Sequence, residues 1–320
     1  MDQVIRLVPK SLALVFLFAG ALGAQDSILV VRPSGATFEE ARKGIAETLG
    51  EGWVLGDLVA SKEMSAKDLV DRWRATSPKA IVLMDNRSVA LYREARAIVG
   101  DTTTPVVALM GVRLDLVVKS LSNAVEVGYE IPAVTSMTNL RSVLASPVRK
   151  IGVVYRSSWG DFFRKQAGFC LSEDFQLVGR AIPDDADPSS SLRKALDELL
   201  EDEAVDALWI LNDNLFLTPR IIRSVWMPMT RRFKTISVVG VESLVNPVLD
   251  FGSFAVLPDH YALGAQVAGI LQEIRDDSWK LDAPRAEEPL SVVKIINVRQ
   301  LKKRSSVRME RLGEIDKVLE

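Results

Sequence analysis

Two of the side chains that carry most chemistry near neutral pH occur once each in this chain, as His260 and Cys170. One of each excludes His-rich zinc sites and Cys–His dyads built within one chain. A single cysteine also excludes an intrachain disulfide. Cys170 lies between Phe169 and Leu171 in an apolar helical pattern, the setting of a buried thiol that acts as a small hydrophobe. His260 stands at the start of a helical stretch, as a surface or capping residue. There is no G-x-x-x-x-G-K-[ST] phosphate loop, no G-x-G-x-x-G after the first apolar run and no G-x-S-x-G nucleophile turn. The catalytic vocabulary left is carboxylates, serines and lysines. Binding without catalysis is the expectation, with no cofactor and no metal; a carboxylate-using hydrolase resting on Asp85 or Asp213 is the enzymatic alternative.

What the chain does place regularly is polar residues directly behind short apolar runs. Ser34 follows Ile28 to Arg32, and Asp85 and Asn86 follow Ala80 to Met84. Ser157, Ser158 and Trp159 follow Lys150 to Tyr155. Asn212, Asp213 and Asn214 follow Leu208 to Leu211, Glu242 follows Val238 to Val241, and Glu130 lies behind Asn123 to Val127. Apolar walls with a few placed polar groups are the makeup of a small-molecule site. The candidate ligand-binding set is therefore Ser34, Asp85, Asn86, Glu130, Ser157, Trp159, Asp213, Asn214 and Glu242. Several have a second reading. Asp85 or Asn86 either touches ligand or caps the helix beginning near Ser88. Trp159 either stacks on a planar ligand or packs at a helix start. Glu242 either touches ligand or caps a helix from Ser243. Asp213 is the strongest candidate, because Pro219 begins the next helix too late for simple capping.

The elements that position these groups alternate. Ser27 to Arg32, Trp53 to Ala60, Ala80 to Met84, Val106 to Leu109 and Asn123 to Val127 read as buried strands. Helical stretches separate them at Phe38 to Leu49, with Thr37 as cap, at Ala66 to Ala75 and at Ser88 to Val99. A helix from Thr138 to Leu144 leads to Lys150 to Tyr155, where the pattern restarts. Phe175 to Ile182, Ala207 to Leu211, Thr235 to Val239, Ser253 to Val256 and Val292 to Asn297 are further strands. Trp159 to Leu171, Ser191 to Leu200, Pro219 to Arg232 and Tyr261 to Arg275 are further helices. Asp184 to Ser191 is a loop that ends by capping a helix, and Asp282 to Pro289 is a charged, Pro-containing connection. Strand–helix alternation means parallel sheets covered on both faces. The fold class is α/β: two doubly wound, Rossmann-like lobes with a ligand cleft beyond the carboxyl ends of their strands.

Composition fits that picture. The chain has 320 residues, 48% of them hydrophobic, and a formal charge of −2. Its length exceeds what one core usually serves, and the near-neutral charge gives no field for a nucleic-acid partner. Arg6 and Lys10 precede the apolar run Leu12 to Leu22, which ends in small residues, the layout of a secretory signal peptide cleaved after Gly23. Ser11 to Ala24 is shorter than the roughly 20 apolar residues that span a bilayer, and no cysteine near the cleavage point offers a lipid anchor. A periplasmic location follows. The basic segment Arg299 to Arg311 reads as a solvated helix face.

Ser34 to Ile45, Lys150 to Tyr155, Phe254 to Leu271 and Val293 to Leu312 resemble the periplasmic substrate-binding components of ABC transporters, in the group related to tryptophan- and tyrosine-binding receptors. Asn297 to Lys303 echoes that group's closing Asn and basic helix, and Tyr261, Gly264 and Ala268 its return helix. The chain departs from the group in two places. Gly111-Val112-Arg113-Leu114-Asp115 replaces an acidic-Pro pair, and Val127-Gly128-Tyr129-Glu130 replaces a Thr-Gly pair. The resemblance implies a type 1 periplasmic-binding fold, with residues 27–129 plus 258–288 in one lobe and 130–257 plus 289–320 in the other. It implies a monomer that closes on an amino acid or similar solute and delivers it to an inner-membrane permease. An ammonium would then sit on Asp213, a carboxylate on backbone amides near Ser34 or Ser157, and an aromatic side chain on Trp159. A secreted sensor or scaffold that engages a membrane signalling protein is the alternative.

Overall fold

The computed structural model describes residues 25–118, 120–249 and 251–320; the signal peptide expected at 1–23 lies outside them. The strands are β1 Asp26–Arg32, β2 Trp53–Val59, β3 Ala80–Met84, β4 Val106–Leu109, β5 Ala124–Val127, β6 Lys150–Arg156, β7 Gln176–Ile182, β8 Ala207–Ile210, β9 Ile236–Val239, β10 Phe254–Pro258, β11 Arg285–Glu287, β12 Val292–Asn297 and β13 Lys317–Leu319. The α-helices are α1 Ala36–Leu49, α2 Ala66–Thr76, α3 Asn86–Val99, α4 Asp115–Val118, α5 Ala133–Val143, α6 Gly160–Leu171, α7 Pro188–Asp197, α8 Pro219–Ile221, α9 Met227–Arg232, α10 His260–Asp276 and α11 Val298–Lys302.

They form two doubly wound sheets. The first has the order β11-β5-β4-β3-β1-β2, parallel throughout. The second has the order β13-β12-β10-β9-β8-β6-β7, parallel except where β12 runs against β10. Both faces are covered, so β3, β4 and β8 are apolar and buried at every position instead of alternating. Along β1, Ile28 and Val30 enter the core under α1 and α10, while Leu29 and Val31 enter the core under α2 and α3. In the second lobe β6 divides likewise: Ile151 and Val153 pack with α5 and α6, and Val154 packs with α7. Cys170 is buried in the former core.

The chain passes to the second sheet after β5, returns after β10 to lay α10 and β11 on the first, and crosses again before β12. The strand order reverses between β3 and β1 in the first sheet and between β8 and β6 in the second. The loops behind these strands thus open the crevice in which such sheets bind ligands.

Local chemistry moves several boundaries from their expected places. α1 begins at Ala36, so Thr37 lies in its first turn instead of capping it; the cap position is Gly35, which supplies no side-chain bond. α5 starts at Ala133, upstream of Thr138, because the Gln166 side chain accepts the N–H of Ala133 at 2.9 Å, a satisfaction of the helix end that comes from α6. α7 begins at Pro188, which is suited to a first helical position, and Asp187 caps it by accepting the N–H of Ser190. The helical stretch from Pro219 to Arg232 widens to a π-turn over Ile222–Trp226. Pro228 has no N–H for the carbonyl of Ser224, and Arg193 Nη2 donates to that carbonyl at 2.7 Å instead. The basic C-terminal segment is the short α11 and a 3₁₀ turn at Met309–Glu314, not one solvated helix. No helix among the described residues is long and apolar enough to cross a membrane.

Candidate functional site

The loop between β4 and α4 carries the most constrained polar side chain of the cleft. Met110 and Arg113 both have left-handed backbone, φ 57° and 53°, which costs a non-glycine residue free energy that its surroundings must offset. Asn86 clamps this loop from the start of α3: its Nδ2 donates to the Val112 carbonyl and its Oδ1 accepts the Val112 N–H, each at 2.7 Å. Arg113 then donates from Nε (2.7 Å) and Nη2 (2.8 Å) to the two oxygens of Asp115. Its guanidinium extends over two rings of the opposite lobe, Phe162 at 4.8 Å and Trp159 at 5.3 Å. The side chain is 7% exposed, and its Nη1 has no hydrogen-bond partner among the described residues.

The second lobe answers with a matching arginine. Arg156, at the end of β6, donates from Nε to Asp213 Oδ2 at 2.7 Å and lies 4.9 Å from the ring of Trp159. Asp213 is buried, and its other oxygen accepts the N–H of Leu215 at 2.8 Å. Both oxygens of this carboxylate are therefore used inside the protein.

Glu130 sits where the chain crosses between lobes. Its Oε2 accepts the backbone N–H of Asn212 at 3.2 Å. Burial pushes its carboxyl up to about 8, overcoming the opposing effects of that hydrogen bond and of Arg113, while nearby Asp213 adds to the rise. The carboxyl is thus mostly protonated at neutral pH. The neighbouring Tyr129 hydroxyl pairs with His260 Nε2 at 3.0 Å, and the two rings stack. His260 is consequently neither a surface residue nor a cap: Asp259 caps α10 by accepting the N–H of Ala262, and burial lowers the imidazole below its ordinary range.

Three cavities open where these loops meet. One of about 320 Å³ is lined by Arg113, Asp115, Glu126, Tyr129 and Glu130 facing Phe162, Lys165 and Gln166. One of about 290 Å³ is lined by Asn86, Val112, Arg113, Leu116, Arg156, Ser158, Trp159 and Asn214. The third, about 570 Å³, lies on the far side of Tyr129 between Thr37 and His260 of the first lobe and Glu242, Ser243 and Lys317 of the second. Asn86, Trp159 and Asn214 thus meet at one cavity, Glu130 lines another and Glu242 the third. Ser34 and Ser157 are exposed and line none of the three. Asp85 caps α3 by accepting the N–H of Ser88 at 2.8 Å. Trp159 is buried in the second lobe's core with its ring beneath two guanidinium groups. Glu242 caps nothing; it pairs with Lys317. Arg156, Tyr129 with His260, and Lys317 escape sequence reasoning because no local pattern marks a partner so distant along the chain. Arg113 had a signal, as the basic residue in the loop that departs from the resembled pattern. Among the described residues, no group of three or more His, Cys, Asp or Glu is placed to hold a metal ion.

No protein-family model matches the sequence, and no curated protein does. Solved structures do match. A substrate binding protein with adhesive properties from Clostridium difficile, in a ligand-free, open structure, superposes with a TM-score of 0.63 at 15% identity, covering 92% of this chain and 99% of that one. An ABC domain in complex with L-Trp from Streptococcus pneumonia gives 0.57 at 15% identity, covering 92% and 100%. A conserved domain protein from Vibrio cholerae gives 0.54 at 16%, covering 92% and 99%. At such identities the likeness is one of fold, and the chain shares the two-lobed α/β fold of these structures.

Proposed function

We propose that this protein is a non-catalytic solute receptor: exported to the periplasm, it captures an amino acid or similar small molecule between its lobes and delivers it to a membrane permease. The observation that carries this reading is the set of cavities walled by both lobes at the carboxyl ends of β4, β5, β6 and β8, where Arg113 and Glu130 face Trp159 and Phe162. A ligand touching both walls favours the closed arrangement by its differential contacts, which is how such a clamp responds to its solute. The lobes that move are residues 27–129 with 258–288 and residues 130–257 with 289–320, acting as a monomer. The L-Trp bound by the pneumococcal structure supports an amino-acid-like solute.

Asp213 enters this reading as the support of Arg156, since its oxygens already accept bonds from that side chain and from Leu215. Glu130, which lines the cavity at the crossing between lobes, is the carboxyl we assign to an ammonium group, giving up its proton on meeting it. The test is native mass spectrometry of freshly purified protein, followed by thermal-shift screening of amino acids and related solutes. A retained small molecule, or a solute that raises the melting temperature and compacts the protein in X-ray scattering, is the expected result. Turnover of a solute, or no shift across the screen, would overturn it.

A further inference from the structure

We infer that the captured solute carries an oxyanion, a carboxylate above all, and that Arg113 and Arg156 receive it against Trp159. This rests on the solute-capture reading and names the chemical group that reading leaves open.

Four features of the cavity of about 290 Å³ point this way. Asp115 uses two of the three guanidinium nitrogens of Arg113, and the third, Nη1, is a buried donor without an acceptor among the described residues. A buried donor is stabilised by any ligand oxygen that reaches it. Second, Arg156 brings another guanidinium to the same indole, bonded to Asp213 through its Nε. Third, the remaining polar lining is Asn86, Ser158 and Asn214, and no carboxylate is among the lining residues; Asp115 and Asp213 hold the arginines from behind. Fourth, the two arginines come from different lobes, so an oxyanion bridging them gains its full set of charge-assisted bonds when the lobes are together. The rings of Trp159 and Phe162 shield the Arg113 guanidinium from water, which strengthens such a bond.

The solute's oxyanion is tested with matched probes: each L-amino acid beside its C-terminal amide, 2-hydroxy acids, and inorganic phosphate. Calorimetry on the purified protein is expected to give an acid that binds, with its amide weaker by about tenfold or more, the scale of a hydrogen bond to a charged group. Arg113→Gln should abolish the preference of acid over amide, while Arg113→Lys keeps part of it, having the charge but not the planar fork. Should Arg113→Gln not fold, as read by circular dichroism, Arg156→Gln tests the same preference from a half-exposed position. Phosphate binding in place of every carboxylic acid supports the oxyanion and makes phosphate its source. An amide bound as tightly as its acid, or an acid preference untouched in the glutamine variants, overturns the inference. A neutral or cationic solute that binds while all acids fail leaves the solute receptor standing and removes the oxyanion; no binding by any probe or screened solute removes both.

Discussion

The contact between α1 and α10 and the contact between the two lobes at Arg113 are built on opposite terms. In the first, two glycines let backbones touch: a Cβ on Gly44 would lie 2.1 Å from the Tyr261 carbonyl oxygen, and one on Gly264 would lie 1.9 Å from that of Ala41. Backbone there packs directly on backbone. In the second, side chains keep the walls apart, cavities remain, and a buried guanidinium nitrogen has no acceptor among the described residues. One interface is fixed by shape and has a single arrangement. The other holds charges in wait, and its energy changes with what enters it. Rigidity within a lobe and adaptability between lobes are thus assigned to different residue types, glycine and arginine.

The sharpest way to break this contrast is to fill the tight crossing. Gly264→Ala places a methyl group against backbone that cannot swing aside, and a loss of about 3 kcal/mol, the upper end for overpacking, is expected in urea denaturation. Gly44→Ala acts on the same crossing, so the double variant should lose less than the sum of the two. Next in size, Asp213→Ala strips the acceptor from Arg156 and from the Leu215 N–H, with an expected loss of about 2 kcal/mol.

Glu130 sharpens the comparison through pH. Its carboxyl, raised by burial from an ordinary value near 4.5 to about 8, keeps in the folded chain a proton that the unfolded chain releases. Its contribution is therefore level below about pH 4.5, falls as pH rises between these values and stays at its reduced level above about 8. Glu130→Gln removes that slope: melting temperatures should coincide with wild type near pH 4 and lie several degrees higher at pH 8.5. Smallest is the effect at a site belonging to neither interface. Arg232, 61% exposed beside Asp197 and Glu201, should change stability by under about 0.5 kcal/mol on mutation to alanine.

The sequence made the lobes' interiors legible because the buried strands are short apolar runs, as at Ala80–Met84 between Lys79 and Asp85 and at Val106–Leu109 behind Pro105. It did not disclose β11 or β13. Arg-Ala-Glu and Lys-Val-Leu are edge strands whose pairing is set by the neighbours β5 and β12, with no apolar run of their own. The short α4 was hidden for the same reason: four residues carry no periodicity. At the site, position behind a strand was enough to single out Glu130, Trp159 and Asp213. It could not tell that Asp213 is already spoken for, since its partner Arg156 lies on a different strand, nor that Asp85 caps α3. The clamp by Asn86 on Val112 likewise joins two loops that only the parallel pairing of β3 with β4 brings side by side.

The route of the chain between sheets has a consequence for how the molecule comes to be. The strand that completes the first sheet, β11, pairs with β5 only after β6 to β10 have all been laid down in the other sheet, and α10 joins α1 across the same interval. A chain appearing from its amino end thus cannot close its first lobe early, however much of that lobe's sequence is already present. Such non-local closure slows folding. The order of synthesis and the order of assembly of the first lobe are uncoupled.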